Sequence, residues 1–193
     1  EEVDNTLENK YEKLVVLYSG LLHKKYGIKN LVNGFMLANI PNTELHIYGD
    51  GDWKNELINI QSKNPNIKYF GIKDNEYVVN EQIKATLLVN PRPINEEFVK
   101  YSFPSKNLEY LASGTPMLTT NLPAMPEEYR DYCFVIDGFT EEDIKNSLLK
   151  VFANSREYLC EYGLKAKAWV LKNKNNVAQT SRIIKYITES MNE

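Results

Sequence analysis

The feature that most constrains the fold of this chain is an alternation of short apolar runs with amphipathic stretches about ten residues long. The apolar runs, rich in branched and aromatic side chains, predict strands at 14–20, 44–51, 66–71, 86–92, 116–120 and 132–137. Helical periodicity predicts helices at 28–38, 52–63, 75–85, 106–111, 141–153, 155–172 and 176–190. Strands that alternate with helices indicate βαβ units, whose right-handed crossovers place helices on both faces of a parallel sheet. The sequence therefore predicts an α/β fold, with a doubly wound parallel sheet of about six strands.

Length and composition fit one domain preceded by a short polar segment. The chain has 193 residues, of which 42% are hydrophobic and 25% charged, as in soluble proteins with a core. Residues 1–12 are acidic and polar, so we expect a tether or strap that is ordered only where something packs on it. Residues 13–193 are expected to form a single Rossmann-like domain.

Charge, hydropathy and cysteine usage argue against several classes of function. The net charge of -3 and the absence of a dense Lys/Arg run argue against nucleic-acid binding. No apolar stretch reaches the roughly 18 residues of a membrane span, and the polar start is not a secretory signal. Cys133 and Cys160 have no metal or redox spacing. We therefore expect buried, reduced thiols in a cytoplasmic protein.

Sheets of this kind bind ligands at the carboxyl ends of their strands, so the loops there are the candidate sites. In the first, SGLLHKKYG, Gly20 allows close backbone approach, and Lys25 stands just before a helix whose dipole favours anions. A solvated loop is the alternative. In the second, residues 49–52 read GDGD, which is either a metal-binding D-x-D or, as we favour, a tight turn with Asp52 capping the next helix. Neither His23 nor His46 is a convincing catalyst.

The segment SFPSKNLEYLASGTP, residues 102–116, carries the strongest signal of a ligand site. Pro104 fits the first turn of a helix, where its missing N–H costs nothing. Lys106 follows in that turn, where the helix dipole disfavours a cation, so an anion is expected to neutralise it. Glu109 lies one turn further on, and its carboxylate suits the two vicinal hydroxyls of a ribose. An exposed helix of mixed charge is the alternative.

From about Leu14 to the end, these segments resemble the C-terminal, nucleotide-sugar donor-binding domain of group 1 (family 4) glycosyltransferases, one half of the GT-B fold. The most specific match is NPRPINEEFVKYSFPSKNLEYLASGTPMLTTNLPAMPEEY, which resembles the segment with the family's E-x7-E motif in bacterial polysaccharide enzymes. The resemblance implies transfer of a sugar from a nucleotide diphosphate to an acceptor hydroxyl with retention of configuration. It implies no cofactor and no obligatory metal.

The resemblance also assigns roles to individual residues. Gly20, Lys25, Ser105 and Lys106 would bind the donor diphosphate, Glu109 the ribose and Ile72 the base, while Gly114 and Thr115 would let the chain pass close to the nucleotide. Two positions depart from the family pattern. Tyr101 stands where the first glutamate of the motif contacts the donor sugar, so Glu97, or alternatively Glu96, would supply that carboxylate. Leu21 replaces the basic residue that often follows the first-loop glycine, which leaves more of the phosphate charge to the two lysines.

The implied partners are a UDP-sugar or GDP-sugar and an N-terminal acceptor domain, which we expect to precede Glu1. The helix at 176–190 is a candidate to cross back onto that domain. We assign no catalytic residue, and expect this domain alone to bind nucleotide weakly with little turnover. A lipid-linked acceptor, with the intact enzyme peripheral to the inner membrane, is compatible with the sequence. A sugar-nucleotide epimerase or a non-catalytic binding module on the same fold remains an alternative, and Tyr101 is the best argument for the latter.

Overall fold

The computed structural model describes residues 4–190. Six strands are present: β1 Leu14–Ser19, β2 Thr43–Tyr48, β3 Ile67–Gly71, β4 Leu87–Asn90, β5 Met117–Thr120 and β6 Phe134–Ile136. Seven α-helices accompany them: α1 Ile28–Ala38, α2 Lys54–Gln61, α3 Asn75–Lys84, α4 Ser105–Ser113, α5 Glu141–Phe152, α6 Arg156–Asn173 and α7 Asn176–Ser190. Short 3-10 helices span Leu7–Asn9, Lys24–Tyr26, Glu97–Lys100 and Glu127–Tyr132. The predicted order of strands and helices is confirmed, with bounds that shift by a few residues.

The strands form one parallel sheet in the order β3-β2-β1-β4-β5-β6. The chain adds β2 and β3 on one side of β1 and then returns to add β4 on the other side. The carboxyl ends of β1 and β4 therefore lie side by side at the switch in strand order, where open α/β sheets form a ligand crevice. The predicted Rossmann-like α/β fold is confirmed.

Each face of the sheet is covered by its own hydrophobic cluster. Along β1, Val16 and Tyr18 belong to one cluster, while Val15 and Leu17 belong to the other, as expected from the alternation of side chains along a strand. Both faces are buried, which explains why the strands read as continuous apolar runs. Cys133 is buried and free, and burial raises the pKa of its thiol to about 12.

The helices α5 and α6 begin at residues whose side chains cap them. Thr140 caps α5 by accepting a hydrogen bond from the Asp143 N–H at 3.2 Å, and the Asp143 carboxylate accepts one from the Thr140 N–H at 2.9 Å. Ser155 caps α6 in the same way through the Tyr158 N–H. The start of α4 has no capping side chain. Among the described helices, none is both long and apolar enough to cross a bilayer.

The segment expected to be a tether or strap packs on the domain from residue 4 onward, and its first three residues lie outside the described part. Asn5 is buried and donates to the Ser113 carbonyl at 2.9 Å. Lys10 Nζ donates to the carbonyls of Ile83 and Ala85, at 2.7 and 2.9 Å, where α3 ends. Arg156 donates to the Glu12 carbonyl at 2.6 Å. We name residues 4–12 the strap.

Candidate functional site

A cavity of about 360 Å³, here named the cleft, lies at the carboxyl ends of β1, β2 and β3. It is lined by Ser19, Gly20, Leu21, Tyr48, Gly49, Asp50, Ile72, Lys73, Asn75, Val78 and Lys106. The loops after β1 and β2 meet directly below it. Gly49 has a φ of 131°, and a Cβ there would lie 1.8 Å from the Gly20 carbonyl oxygen. Only glycine fits this position, where the loops after β1 and β2 approach each other closely.

A second cavity of about 100 Å³, here named the small cavity, adjoins the cleft at the switch in strand order. The two share Ser19, Gly20, Leu21 and Lys106 as lining residues, so they lie side by side. The small cavity adds Tyr18, Tyr26, Asn90 and Arg92. The Arg92 guanidinium lies 4.8 Å from the centroid of the Tyr26 ring.

The start of α4 forms the edge of both cavities. Pro104 is the capping residue with extended backbone, so Ser105 begins the helix and Lys106 is its second residue. The prediction that Pro104 itself occupies the first turn is wrong by one position. Lys106 Nζ lies 3.0 Å from both carboxylate oxygens of Glu109. This internal partner explains how the helix tolerates a lysine at its positive end.

Glu109 is held in place from a second side. Gln82 of α3 is fully buried, and its Nε2 donates to Glu109 Oε1 at 2.7 Å. Glu109 lines a third cavity of about 520 Å³, here named the rear cavity, between α3, α4, α6 and the strap. The pair of Lys106 and Glu109 therefore lies on the boundary between the cleft and the rear cavity.

Buried hydrogen bonds fix α4 against the strand ends. The Ser19 N–H donates to the Tyr110 hydroxyl oxygen at 2.9 Å, and burial raises the pKa of that phenol to about 12. Asn90 Nδ2 donates to Asn107 Oδ1 at 2.6 Å, and the Thr119 hydroxyl donates to the Asn90 carbonyl at 3.2 Å. Breaking such a buried pair leaves a polar group unsatisfied at a cost of about 1–3 kcal/mol. The network therefore fixes the start of α4 relative to the loop after β1.

The sequence interpretation missed Gln82, Tyr110 and the pair of Asn90 and Asn107. Their sequence signal is weak, because α3 buries the polar Glu81 and Gln82 beside Val78 and Ile83, and α4 buries Asn107 and Ser113 beside Tyr110 and Leu111. Gln82 itself is fully buried. A buried amide needs a polar partner, and the pattern alone does not name that partner.

The structure brings some of the predicted site residues together and leaves others apart. Gly20, Ile72 and Lys106 line the cleft, and Ser105 is exposed at the start of α4. Lys25 is exposed, with Nζ 5.3 Å from the Tyr26 ring centroid, and lines neither the cleft nor the small cavity. The residues proposed for the donor sugar are exposed as well, Glu97 in a 3-10 helix and Tyr101 with 83% of its surface accessible.

Gly114 and Thr115 lie at the other end of α4, between that helix and the amino end of β5. Gly114 has a φ of 82° and ends the helix. Thr115 is fully buried, accepts a hydrogen bond from Lys10 Nζ at 2.9 Å and donates one to the Gln82 carbonyl at 2.8 Å. Their placement gives no support to the expected contact with a nucleotide. These residues contact the strap at the amino ends of the strands, whereas the cleft lies at the carboxyl ends.

The second loop forms the tight turn that we favoured, but not with the predicted cap. Asp52 does not cap α2; its Oδ2 lies 3.0 Å from His23 Nδ1. Asp50 Oδ1 accepts the Gly51 N–H at 2.9 Å and lies 3.4 Å from Lys54 Nζ. Within residues 4–190, no group of three or more His, Cys, Asp and Glu side chains could hold a metal ion. His46 is buried within β2.

Known proteins resemble this chain in sequence pattern and in fold. A family model described as glycosyl transferases group 1 matches residues 1–188, whereas no curated protein matches significantly. A sucrose-phosphate synthase from Thermosynechococcus elongatus aligns with a TM-score of 0.71 and 18% identity over 93% of this chain and 46% of its own. HepE from Anabaena, solved with UDP-glucose, aligns with a TM-score of 0.70 and 16% identity over 92% and 49%, respectively. This chain thus spans about half the length of both proteins.

An isolated domain gives a match over nearly its whole length. The C-terminal domain of a group 1 glycosyl transferase family protein, LpcC, from Francisella tularensis aligns with a TM-score of 0.69 and 17% identity. The alignment covers 88% of this chain and 90% of that domain. At these identities the structures show a shared fold, while the family match shows membership. The chain belongs to the group 1 glycosyl transferases and has the fold of one half of a GT-B enzyme.

Proposed function

We propose that this domain binds a nucleoside diphosphate sugar and forms the donor half of a retaining glycosyltransferase. The observation that carries the proposal is the pair of adjacent cavities, the cleft and the small cavity, at the carboxyl edge of the sheet near the switch in strand order. It opens onto the uncapped, positive end of α4, with Lys106 on its edge. A helix start of this kind, next to a parallel sheet's carboxyl edge, favours a phosphorylated ligand.

The nucleoside would occupy the cleft, with the base against the loop that holds Ile72. Glu109 would accept the ribose hydroxyls with its two carboxylate oxygens. Those oxygens contact Lys106 in the structure. Binding would therefore replace the contact between Glu109 and Lys106 by contacts between Glu109 and the ribose hydroxyls. Lys106 would turn to the phosphates, and Gln82 would keep the carboxylate aligned through its 2.7 Å hydrogen bond.

The diphosphate would lie over Gly20, at the start of α4. Ser105, Lys106 and the helix dipole would stabilise the negative charge that develops on the leaving diphosphate during sugar transfer. This arrangement requires no metal ion. Structures of HepE from Anabaena contain UDP and UDP-glucose, which makes a UDP-sugar the first donor to test, ahead of a GDP-sugar.

The remaining parts of the proposal concern the whole enzyme. Glu97 and Tyr101 would contact the donor sugar, an N-terminal domain would bind the acceptor, and the product would be a bacterial polysaccharide or glycoconjugate. An acceptor linked to lipid would bring the enzyme to the inner membrane. Because Tyr101 replaces a glutamate of the family motif and is 83% exposed, a non-catalytic nucleotide-sugar binding module is the second candidate.

Calorimetric titration with UDP, GDP and ADP, first with EDTA and then with magnesium, tests the binding function. We expect one nucleotide to bind without metal and Glu109→Gln to weaken it about two- to hundredfold, because a charged acceptor is lost while Lys106 is freed. Glu76→Gln is the matched control, since it removes another carboxylate from the rear cavity without touching Lys106. Equal affinities of the Glu109→Gln variant and the wild type would exclude the ribose role. Release of the donor sugar by the full-length protein separates an enzyme from a binding module.

A further inference from the structure

The small cavity has the chemistry of an anion site. The charged side chains among its lining residues are Arg92 and Lys106, both cationic, and the others are aromatic, aliphatic or neutral polar residues. Its volume of about 100 Å³ compares with about 360 Å³ for the cleft. Of these two cavities, only the cleft is large enough for a nucleoside, and a group the size of a phosphate suits the small cavity beside it.

Arg92 is fixed where such a group would lie. It follows β4 by two residues, and the last residue of that strand, Asn90, is bound to α4 through Asn107. Its guanidinium lies 4.8 Å from the Tyr26 ring centroid and is half-buried. A planar guanidinium presents N–H groups as a fork that matches two phosphate oxygens, and stacking on an aromatic face restrains its orientation.

The first loop does not supply an equivalent cation. Leu21 lines both cavities without a charge. Lys25 also approaches Tyr26, with Nζ 5.3 Å from the ring centroid, but its side chain is exposed and lines neither cavity. Because β1 and β4 are neighbours in the sheet, a residue just after β4 can reach the space above the loop that follows β1.

We infer that Arg92, rather than Lys25, binds the terminal phosphate of the nucleoside diphosphate. Lys106 lines both cavities and would lie between the two phosphates. Arg92 would then recognise the phosphate that carries the sugar, and would discriminate a nucleoside diphosphate from a monophosphate. This inference rests on the proposed nucleotide site and deepens it.

The ratio of UDP to UMP affinity tests the inference, because only UDP reaches the small cavity. Calorimetric titrations at low ionic strength would use the wild type, Arg92→Gln, Arg92→Lys and the matched control Lys25→Gln. Arg92→Gln should lower the UDP/UMP ratio about tenfold or more and leave UMP affinity within about twofold. Arg92→Lys, which keeps the charge but loses the fork, should give an intermediate ratio. Lys25→Gln should leave the ratio unchanged.

Several results would overturn the inference. If the UDP/UMP ratio falls in Lys25→Gln and not in Arg92→Gln, Lys25 of the first loop binds the terminal phosphate and Arg92 does not. An unchanged ratio in both Arg92 variants, or equal losses of UDP and UMP, would remove Arg92 from the terminal phosphate site. If UDP binds the wild type and its affinity depends on Glu109 but not on Arg92, the inference about Arg92 is wrong while the proposed nucleotide site stands. If the wild type binds neither nucleotide, the proposed function fails with it.

Discussion

Replacing Glu109 with glutamine should change the affinities for pyrophosphate and for UDP in opposite directions. Lys106 Nζ lies 3.0 Å from both carboxylate oxygens of Glu109, and the two side chains are 31% and 33% exposed. Ion pairs this exposed contribute about 0.2–1 kcal/mol. Removing the carboxylate frees Lys106 for a phosphate, so pyrophosphate should bind up to about fivefold more tightly.

The same substitution replaces the charged, two-oxygen acceptor of the ribose hydroxyls by a neutral amide with one acceptor oxygen. Hydrogen bonds to charged groups contribute about 1.5–3 kcal/mol. Less the roughly 0.2–1 kcal/mol gained by freeing the lysine, a net loss of about 0.5–2.8 kcal/mol remains, so UDP affinity should fall about two- to hundredfold. Calorimetric titration of both ligands into the wild type, Glu109→Gln and Lys106→Met measures the two effects. Lys106→Met should weaken both ligands. A loss of pyrophosphate and UDP affinity in parallel in Glu109→Gln would refute the exchange of partners inferred from the ion pair.

Three other substitutions test the contacts that support the site. Gln82→Leu should reduce discrimination between UDP and 2′-deoxy-UDP about fivefold in calorimetry, because Glu109 loses the 2.7 Å hydrogen bond that orients it. Asn107→Ala should lower the free energy of unfolding by about 1–3 kcal/mol in urea titrations, because the buried Asn90 amide loses its acceptor. Burial lowers the pKa of Lys10 to about 8. In the unfolded chain a lysine has a pKa of about 10.4. Between about pH 8 and pH 10.4 the unfolded state therefore binds more protons than the folded state, so the contribution of Lys10 to the free energy of unfolding rises with pH. Urea titrations at about pH 8 and pH 10 should show the wild type gaining about 2 kcal/mol relative to Lys10→Met, and an unchanged difference would contradict a buried ammonium.

The sequence predicted the elements of the fold because each is encoded by local periodicity. The helix Ile28–Ala38 buries Ile28, Leu31, Val32 and Phe35, which is the face that the spacing predicts. Lys106 and Glu109 were also placed correctly as neighbours on one helix. Their mutual neutralisation follows from a spacing of three residues, although an external anion was the expected partner.

The parts of the site that could not be predicted depend on contacts between elements distant in sequence. Arg92 and Gly20 are about 70 residues apart along the chain but meet because β1 and β4 are neighbours. The family resemblance implies that Gly114 lies close to the nucleotide. The nine residues of α4 separate the two ends of that helix by about 13 Å, so Gly114 lies at the far edge of the sheet. Lys25 was assigned from its position before a helix, and the 3-10 turn Lys24–Tyr26 leaves it outside the cavities.

A crystal structure of residues 1–193 with UDP tests the central claim most directly. The account predicts the base beside Ile72, the ribose hydroxyls on Glu109, and the two phosphates between Lys106 and Arg92 above Gly20. It also predicts that the contact between Lys106 and Glu109 is broken. UDP seated in the rear cavity, or bound with that contact intact and its phosphates away from α4, would contradict the account.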